Sequence, residues 1–451
     1  MTKLRIFTAM ALAAVGAFAS QFLKGCALKA HAALFGFMAG RGMILGANAL
    51  AKDLELMFEN FVEGFDANCV ISMEAETSYP DAQAMQRAGD TFYKKQNYHA
   101  AVVTGLDVSG STRTDVIERF VPTVFRSPDN VIYELDAKEL RDPQHMQKMG
   151  DAAALRLAAE VDKNLYAAVA ASASIFVKKV GALTWDDGAT AEALMLSRGI
   201  NSADRKMFLN PFDYAAIAKD LGNRAYLGDR SKDAYERSKV PDIASFATFR
   251  TDNVANLAAI GTVTSTTVNA NTSHTVTAMT GDVPTDNRSG VLVVAGANIA
   301  NIKNGDAFTI AGVNAVHMID KSDTGQAMTF RVLSGGGTAN LTITPKIVIT
   351  GPYQNVTAQA AAGAALTFLN TATKPVNAFW AQGAVTLDYG RLNFPAGLGA
   401  EVMTANTKNG VPLVMVAQIN AQTGKVFVRN TTLYAATVLD PEKCGLVLAN
   451  Q

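Results

Sequence analysis

Apolar positions that recur every three or four residues predict one long helix near the middle of the chain. The pattern runs from Pro143 to about Val177, and charged residues fall between the apolar ones. Pro143 suits the first position of a helix, where the backbone N–H needs no intrahelical partner. At 1.5 Å per residue, this helix would be about 50 Å long. Its length favours an element that serves several parts of the chain, and an ordinary long core helix is the alternative.

A second amphipathic helix is predicted from Leu50 to Phe65. Its apolar residues repeat at helical spacing, and acidic residues that include Asp53, Glu55 and Glu59 occupy the other side. A helix of this kind can dock its apolar face on the protein and offer carboxylates to a basic partner. The simpler interpretation is a solvated helix surface.

Polar, weakly periodic sequence follows this helix and predicts an exposed hairpin. Lys94, Lys95 and Asn97 come before the glycine-containing stretch from Gly105 to Asp115. Such a hairpin needs support from outside its own strands, which indicates a neighbouring subunit.

Two shorter helices are predicted after the long one, at Trp185–Ile200 and Pro211–Leu221. Asn210 suits the N-cap of the second helix. Asp186 and the carboxylate after it could be taken for a catalytic pair. Adjacent carboxylates at a helix start are more simply explained as charges that stabilise the helix N-terminus.

The composition changes between residues 256 and 351, where Thr, Val, Asn and Gly become frequent. Apolar residues alternate with polar ones at strand length, and Gly335–Gly337 closes two of the runs into a hairpin. We therefore predict a small closed β-sheet that is inserted into the main domain. The polar loop Thr280–Gly290 carries three charged residues that could pair across a symmetry axis, namely Asp282, Asp286 and Arg288.

The main domain resumes behind this β-rich block. Phe379 and Trp380 open a strand-like segment that continues at Ala384–Phe394, and two further strands are predicted at Val411–Ile419 and Lys425–Tyr434. These elements predict an α/β region at the C-terminal end of the chain.

Residues 1–42 admit three interpretations. Lys3 and Arg5 precede an apolar run from Ile6 to Ala19, which is the outline of a secretory signal. An upstream start codon, with a working protein that begins at Met43, is the second interpretation. An additional N-terminal helix is the third.

Composition limits the class of protein. The chain has 451 residues with 49% hydrophobic content, and its 40 basic and 40 acidic residues cancel. This length is enough for about two or three domains, and the net charge gives no indication of a nucleic-acid-binding surface. Three scattered cysteines favour neither a disulfide framework nor a metal site. No apolar run after residue 45 is long enough for a convincing membrane span.

Motifs typical of catalytic or cofactor-binding sites are missing from the sequence. It contains no GxxxxGK(S/T) phosphate loop, no GxGxxG that opens a helix after a strand, no HExxH and no GxSxG. Its five histidines are isolated from one another along the chain. We therefore predict no enzyme activity, no cofactor and no metal site.

Several short motifs follow one another in a characteristic order. They are Met85-Gln86-Arg87, Leu140-Arg141-Asp142, LNPFDY at Leu209–Tyr214, Asp233-Ala234-Tyr235, Asn304-Gly305-Asp306, Ile310-Ala311-Gly312-Val313, Ile343-Thr344-Pro345-Lys346 and Asn377-Ala378-Phe379-Trp380. In this order they resemble the coat (major capsid) proteins of short-tailed temperate phages of the Salmonella P22 type. The resemblance covers Met43 to about Trp380, and the remainder of the chain more loosely.

The resemblance implies an α+β protein with the tailed-phage major capsid fold. That fold has a long spine helix, an extended E-loop, axial and peripheral domains and, in this family, an inserted small β-barrel. The implied division of the chain is an N-terminal extension at 1–42, an N-terminal arm at 43–80, the E-loop and peripheral-domain strands at 81–142, the spine helix and core α/β region at 143–255, the inserted barrel at 256–351, and the axial domain with a return to the core at 352–451.

The resemblance also implies contacts. The arm of these proteins binds a scaffolding protein through acidic residues, which match Asp53, Glu55 and Glu59. The E-loop lies on an adjacent subunit, which makes Lys94, Lys95 and Asn97 candidates. The loop of the inserted barrel joins neighbouring capsomers at two-fold positions, which makes Asp282, Asp286 and Arg288 candidates. The Lys–Asn cross-link of other phage capsids has no identifiable match here.

The implied function is that of a structural protein that assembles with a scaffolding protein into an icosahedral shell of pentamers and hexamers. The other implied partners are a portal protein and double-stranded DNA, which the shell encloses without sequence-specific binding, and no membrane is involved. The implied location is the virion capsid, with assembly in the host cytoplasm. A secreted, β-rich surface or adhesion protein, cleaved near Ala19, is the alternative, and an unrecognised hydrolase is a third possibility.

Overall fold

A computed structural model describes residues 49–78, 91–100, 106, 109, 117–136, 139–223, 240–394 and 400–451. The chain forms two compact units. Unit 1 contains the chain up to Ala67 with 129–157 and 391–432, and unit 2 contains 68–128, 158–390 and 433–451. The predictions for residues 1–42 and for most of Gly105–Asp115 lie outside the described residues.

The α-helices of the described residues are α1 (Ala49–Asn68), α2 (Pro143–Ser172), α3 (Trp185–Ser197) and α4 (Pro211–Asn223). Each lies where apolar periodicity predicted a helix. The side-chain oxygen of Asn210 accepts the backbone N–H groups of Phe212 and Asp213 at 2.8 and 2.9 Å, so Asn210 is the N-cap of α4. Thr184 and Asp187 form a capping box at the start of α3, so the carboxylate that follows Asp186 is a capping group.

Helix α2 is shorter than its sequence pattern predicts, because it ends at Ser172 and not at Val177. Its 30 residues correspond to about 45 Å. The backbone N–H of Ser174 bonds to the carbonyl of Cys444 at 3.1 Å, and the next residues pair in parallel with a strand at the C-terminus. The β-branched residues Ile175 and Val177 suit this buried strand, so the apolar spacing continues although the helix does not.

The strands are numbered in chain order. They are β1 (Glu76–Ser78), β2 (Thr91–Lys95), β3 (Phe120–Val124), β4 (Asp129–Leu135), β5 (Ile175–Lys178), β6 (Arg205–Leu209), β7 (Phe246–Arg250), β8 (Asn256–Leu257), β9 (Thr264–Val268), β10 (Met279–Thr280), β11 (Val283–Pro284), β12 (Gly290–Ala297), β13 (Ala307–Val316), β14 (Asp323–Ser334), β15 (Asn340–Thr344), β16 (Leu366–Phe368), β17 (Lys374–Trp380), β18 (Val385–Tyr389), β19 (Ala400–Asn406), β20 (Pro412–Asn420), β21 (Lys425–Thr432), β22 (Tyr434–Val438) and β23 (Cys444–Leu448).

The main sheet of unit 2 has the strand order β5-β23-β17-β6-β7, with β8 paired to β17. Strand β17 is antiparallel to both of its neighbours in this order, and the outer pairs are parallel. Helices α3 and α4 contribute Met195 and Ile217 to the same buried core. The prediction that Phe379 and Trp380 open a strand is wrong, because these residues end β17, at the point where its pairing partners stop.

A second sheet of unit 2 consists of six antiparallel strands in the order β16-β13-β14-β15-β12-β9. The first and last strands meet, since the backbone N–H of Val268 bonds to the carbonyl of Ala364 at 2.9 Å and Thr267 pairs with Ala365. The sheet is therefore a small barrel around its own apolar core. Its last strand, β16, lies beyond the predicted end at residue 351, because a strand of three residues is too short to show alternation.

The glycine turn of the barrel forms where it was predicted. Gly335 and Gly337 have φ values of 79° and 82°, which residues with a Cβ rarely adopt. A Cβ on Gly335 would lie 2.2 Å from the carbonyl oxygen of Asn340. Only glycine therefore fits at the point where β14 turns into β15.

Besides the antiparallel pair of β10 and β11, two small sheets complete unit 2. Strands β1, β18 and β22 form one, in which β18 is the middle strand. Strands β2 and β3 form the other, with a register that runs from Thr91 opposite Val124 to Lys95 opposite Phe120. This antiparallel pair is the described base of the predicted hairpin.

Unit 1 has an antiparallel sheet in the order β19-β20-β21-β4. Helix α1 buries Phe58, Phe61 and Phe65, whose successive ring centroids are 6.3 and 6.4 Å apart. Every residue of β4 pairs with β21, and residues 391–432 belong to unit 1. Residues 352–451 are thus divided between the two units.

Candidate assembly surfaces

Lys94, a predicted contact of the hairpin, is held within its own chain. Its ammonium nitrogen lies 2.5 Å from a carboxylate oxygen of Asp388 and 2.8 Å from the hydroxyl of Ser78. Ser78 also donates a short hydrogen bond to Asp388. The Asp388 side chain has no exposed surface. Lys94 therefore fixes the start of the hairpin to β1 and β18.

Lys95 and Asn97 lie exposed at the point where the hairpin leaves its paired strands. The Lys95 ammonium lies 2.8 Å from Glu118, which also accepts the hydroxyl of Tyr98 at 2.9 Å. These hydrogen bonds hold the pKa of Glu118 below its usual value. The Asn97 carbonyl accepts a guanidinium N–H of Arg119 at 2.9 Å. This polar surface is accessible to another molecule.

Two of the three predicted residues of the barrel loop bind each other. The guanidinium of Arg288 donates to both carboxylate oxygens of Asp286, at 2.7 to 3.1 Å. Its remaining terminal nitrogen donates to the carbonyl of Val438 at 2.7 Å. Arg288 therefore anchors the loop to strand β22 of the same chain.

Asp282, the third predicted residue, is exposed at the turn between β10 and β11. Its neighbours Met279 and Val283 are 54% and 60% exposed. The turn thus presents one carboxylate between two apolar side chains, a combination that suits a contact with another protein surface.

The acidic face of α1 is less exposed than its sequence indicates. Glu55 and Glu59 are half-buried, Glu63 is exposed, and the side chain of Asp53 lies outside the described residues. The apolar side of the helix is buried as predicted, with Met57 at 0% exposure.

Sequence reasoning missed the residues that join the hairpin base to the barrel. Tyr353, between β15 and β16, contacts His99 and Arg119. Nearby, the side-chain amide of Asn355 donates to a carboxylate oxygen of Glu442 at 2.6 Å. These residues come from segments far apart in sequence, and no local pattern relates them.

Two buried arginines lie where the barrel meets the main sheet of unit 2. The Arg331 guanidinium is 5.8 Å from the ring centroid of Phe176, and Arg198 donates to Thr329 at 3.4 Å. Burial lowers the pKa of each arginine to about 10. In each, Nε and one terminal nitrogen have no hydrogen-bond partner among the described residues. The contact between the barrel and the main sheet thus includes two buried guanidinium groups with incomplete hydrogen bonding.

A cavity of about 210 Å³ lies beside β1 and the end of β17. Its wall includes Trp380, Glu74 and Lys206, and the last two form a short ion pair. Within the described part of the chain, no group of His, Cys, Asp or Glu side chains is arranged to hold a metal ion. No helix among those residues is long and apolar enough to cross a membrane.

Together with the long helix, the hairpin base and the small barrel, a match to a family model identifies the class of protein, a tailed-phage major capsid protein. The model of the P22 coat protein family, gene protein 5, matches residues 47–449, and the chain belongs to this family. Members of the family are structural proteins of the virion capsid. The alternative of a secreted adhesion protein has no support from this match.

Solved capsid structures resemble the chain as well. The CUS-3 coat protein I-domain is 43% identical over 24% of this chain and 99% of its own, with a TM-score of 0.21. A structure from Mycobacterium phage Che8 is 8% identical over 84% of this chain and 90% of its own, with a TM-score of 0.41. The mature capsid of bacteriophage PhiM1 is 9% identical over 85% of this chain and 87% of its own, with a TM-score of 0.43.

Proposed function

We propose that this capsid protein assembles, together with a scaffolding protein, into an icosahedral shell of pentamers and hexamers that includes a portal protein. Assembly takes place in the host cytoplasm, and the shell encloses double-stranded DNA without sequence-specific binding. The chain has no catalytic role in this proposal. The family match over residues 47–449 is the observation that carries it.

Isolated apolar side chains on the surface support repeated self-assembly. One chain that occupies both pentamers and hexamers needs contacts that can release and form again, which favours several moderate interfaces over one strong interface. Phe212 is 86% exposed and Ile132 is 65% exposed, although both are large and apolar. They lie in different units, so they offer separate anchors for such interfaces.

The balance of basic and acidic residues is compatible with a shell that encloses DNA. With 40 basic and 40 acidic residues, the chain has no excess of positive charge to neutralise phosphates. A shell can retain DNA by enclosure, without tight binding. Sequence-specific contacts are therefore unnecessary in the proposal.

The predicted contact residues take separate roles in the proposal. Lys95 and Asn97 contact the adjacent subunit through the hairpin, whereas Lys94 holds the base of the hairpin. Asp282 is the loop residue that reaches a neighbouring capsomer. Glu55 and Glu59, with Asp53, offer carboxylates to a basic segment of the scaffolding protein.

Sedimentation and negative-stain electron microscopy of the purified full chain, alone and mixed with its scaffolding protein, test the proposal. We expect closed shells in the mixture, and sheets or spirals of capsomers from the chain alone. A chain that stays monomeric under both conditions would contradict the proposed assembly.

A further inference from the structure

Tyr353 lies between two side chains of the hairpin base. Its hydroxyl donates to the carbonyl of Ile117 at 2.8 Å. The guanidinium carbon of Arg119 is 4.4 Å from the centroid of its ring, well within the range of a cation–π contact. The ring of His99 approaches edge-on, with centroids 5.5 Å apart and an angle of 70° between the planes. Tyr353 therefore contacts the segment that follows β2 and also the segment that precedes β3.

Among the described residues, these contacts lie beyond the last paired residues of the hairpin. The register of β2 and β3 ends where Lys95 lies opposite Phe120, and one further backbone bond joins Gln96 to Arg119 at 3.0 Å. A two-stranded hairpin is marginally stable by itself in water. The contacts of Tyr353 thus occur at the point where the hairpin loses the support of its own ladder.

A third segment of the chain closes the same junction. The side-chain amide of Gln96 donates a short hydrogen bond to the carbonyl of Leu439. Asn355, two residues after Tyr353, donates to Glu442 at 2.6 Å. The hairpin base, the barrel and the segment between β22 and β23 are therefore joined by polar contacts in one place.

Tyr353 contributes little to the barrel itself. It is half-buried and is not part of the apolar core of the barrel, which is formed by residues such as Phe308, Phe330 and Ile343. Its ring contacts and its hydroxyl bond are both made to the hairpin. Loss of the side chain should therefore affect the hairpin and leave the barrel folded.

We propose that Tyr353 is a positioning residue, through which the barrel holds the base of the hairpin in place. The proposal rests on the proposed function, in which the hairpin contacts an adjacent subunit. The barrel thereby determines how one subunit reaches the next, in addition to any contact that it makes through its own loop.

Hydrogen exchange on the unassembled full chain tests the first part of the proposal. We expect Tyr353→Ala to accelerate exchange of the Gln96 amide, which bonds to the Arg119 carbonyl, about tenfold, the order of magnitude expected when one cation–π contact and one hydrogen bond are lost. Exchange of the Val332 amide in the barrel should not change. Tyr353→Phe, which keeps the ring and removes the hydroxyl, should give a smaller acceleration.

Tyr214 provides a matched control in the same unit. Its hydroxyl accepts the backbone N–H of Val240, and the guanidinium of Arg250 lies 5.8 Å from its ring centroid. Tyr214→Ala should leave exchange in the hairpin unchanged. Equal exchange of the hairpin in Tyr353→Ala and wild type would overturn the proposal, as would acceleration of the barrel and the hairpin together.

Assembly of the same variants with the scaffolding protein tests the second part. We expect Tyr353→Ala to produce irregular or incomplete shells where wild type and Tyr353→Phe produce closed ones. If hairpin exchange rises but shells remain normal, the positioning role is wrong. If wild type itself forms no shells, the proposed function fails, and the exchange result still decides whether Tyr353 holds the hairpin.

Discussion

The ammonium nitrogen of Lys94 lies 2.5 Å from a carboxylate oxygen of Asp388, a side chain with no exposed surface. The second carboxylate oxygen of Asp388 is buried without a hydrogen-bond partner among the described residues. A buried carboxylate in this position depends on its cation, because removal of one partner leaves an uncompensated charge. The pair therefore connects the start of the hairpin to β18.

Lys94→Met should lower the free energy of unfolding by about 3 kcal/mol, since Asp388 would stay buried without its partner. Urea unfolding of the unassembled chain measures the change. Lys95→Met is the matched control, because its pair with Glu118 is exposed to solvent and should contribute very little. Equal stability of the two variants would show that Lys94 does not hold the hairpin.

Asp162 on α2 accepts three consecutive backbone N–H groups. Val70, Ile71 and Ser72 donate to its carboxylate at 2.8, 3.0 and 2.8 Å. Asp162→Asn replaces one acceptor oxygen by a donor that faces an N–H group, so we expect a loss of about 2 kcal/mol in the free energy of unfolding. Asp151→Asn, at an exposed position of the same helix, should have almost no effect in the same urea titration. A small loss for Asp162→Asn would show that the turn is held by other contacts.

Stability should fall in mild acid because of His99. Burial, together with the positive charges of Arg119, Lys321 and Lys443 and against the opposing charge of Asp440, lowers its pKa from 6.5 to about 4. Between these pH values the unfolded chain binds the proton more tightly than the folded chain does. The contribution of neutral His99 is therefore complete above pH 6.5 and is lost as the pH falls towards 4.

His99→Gln tests this pH dependence. Between pH 7 and 4.5, the variant should lose about 1 kcal/mol less stability than wild type, with allowance for the partial exposure of the ring. Urea unfolding at both pH values measures the difference. Identical slopes for His99→Gln and wild type would contradict the assignment.

Substitutions at Asp282 and Arg288 should have different effects on the stability of the assembled shell and on that of the unassembled chain. Arg288→Met removes the bonds to Asp286 and Val438, so the unassembled chain should lose about 1–2 kcal/mol. Asp282→Asn changes an exposed residue and should leave the chain unchanged, but it should lower the urea concentration at which assembled shells dissociate. Shells of Asp282→Asn that are as stable as wild type would exclude this residue from the capsomer contact.

The sequence predicted elements whose pattern is local and missed relationships between distant segments. Helix α1 was predictable because its apolar stripe, with Phe58 and Phe61, repeats at helical spacing. The end of α2 was not, because Ile175 leaves the helix to pair with a strand at the C-terminus. Lys94 was predicted as an exposed contact because the sequence does not reveal its partner. That partner, Asp388, lies on a strand that no local pattern connects to the hairpin.

The candidate site residues, too, were predictable where the signal is local and unpredictable where it depends on distant segments. Charged residues in polar loops were easy to find, and Asp282 is exposed as such a loop predicts. Whether a charge pairs within its own chain depends on tertiary contacts, as the Asp286–Arg288 pair illustrates. The role of Tyr353 depends on contacts with residues more than two hundred positions away in sequence, which a single sequence does not reveal.

Charge reversal on α1 tests the scaffolding contact. Glu55→Lys should block assembly with the scaffolding protein, because a basic partner would meet a positive side chain in place of a carboxylate. Asp53→Lys and Glu59→Lys should act in the same direction. Because Glu55 lies on the helix surface that is partly open to solvent, we expect the unassembled chain to remain within about 1 kcal/mol of wild type.

Glu63→Lys is the control for this reversal, since Glu63 is exposed on the same helix one to two turns further along. It changes the net charge by the same amount and should still assemble. Sedimentation of each variant with the scaffolding protein separates procapsids from free subunits. Normal procapsids from all three variants at Asp53, Glu55 and Glu59 would show that the scaffolding protein binds elsewhere on the chain.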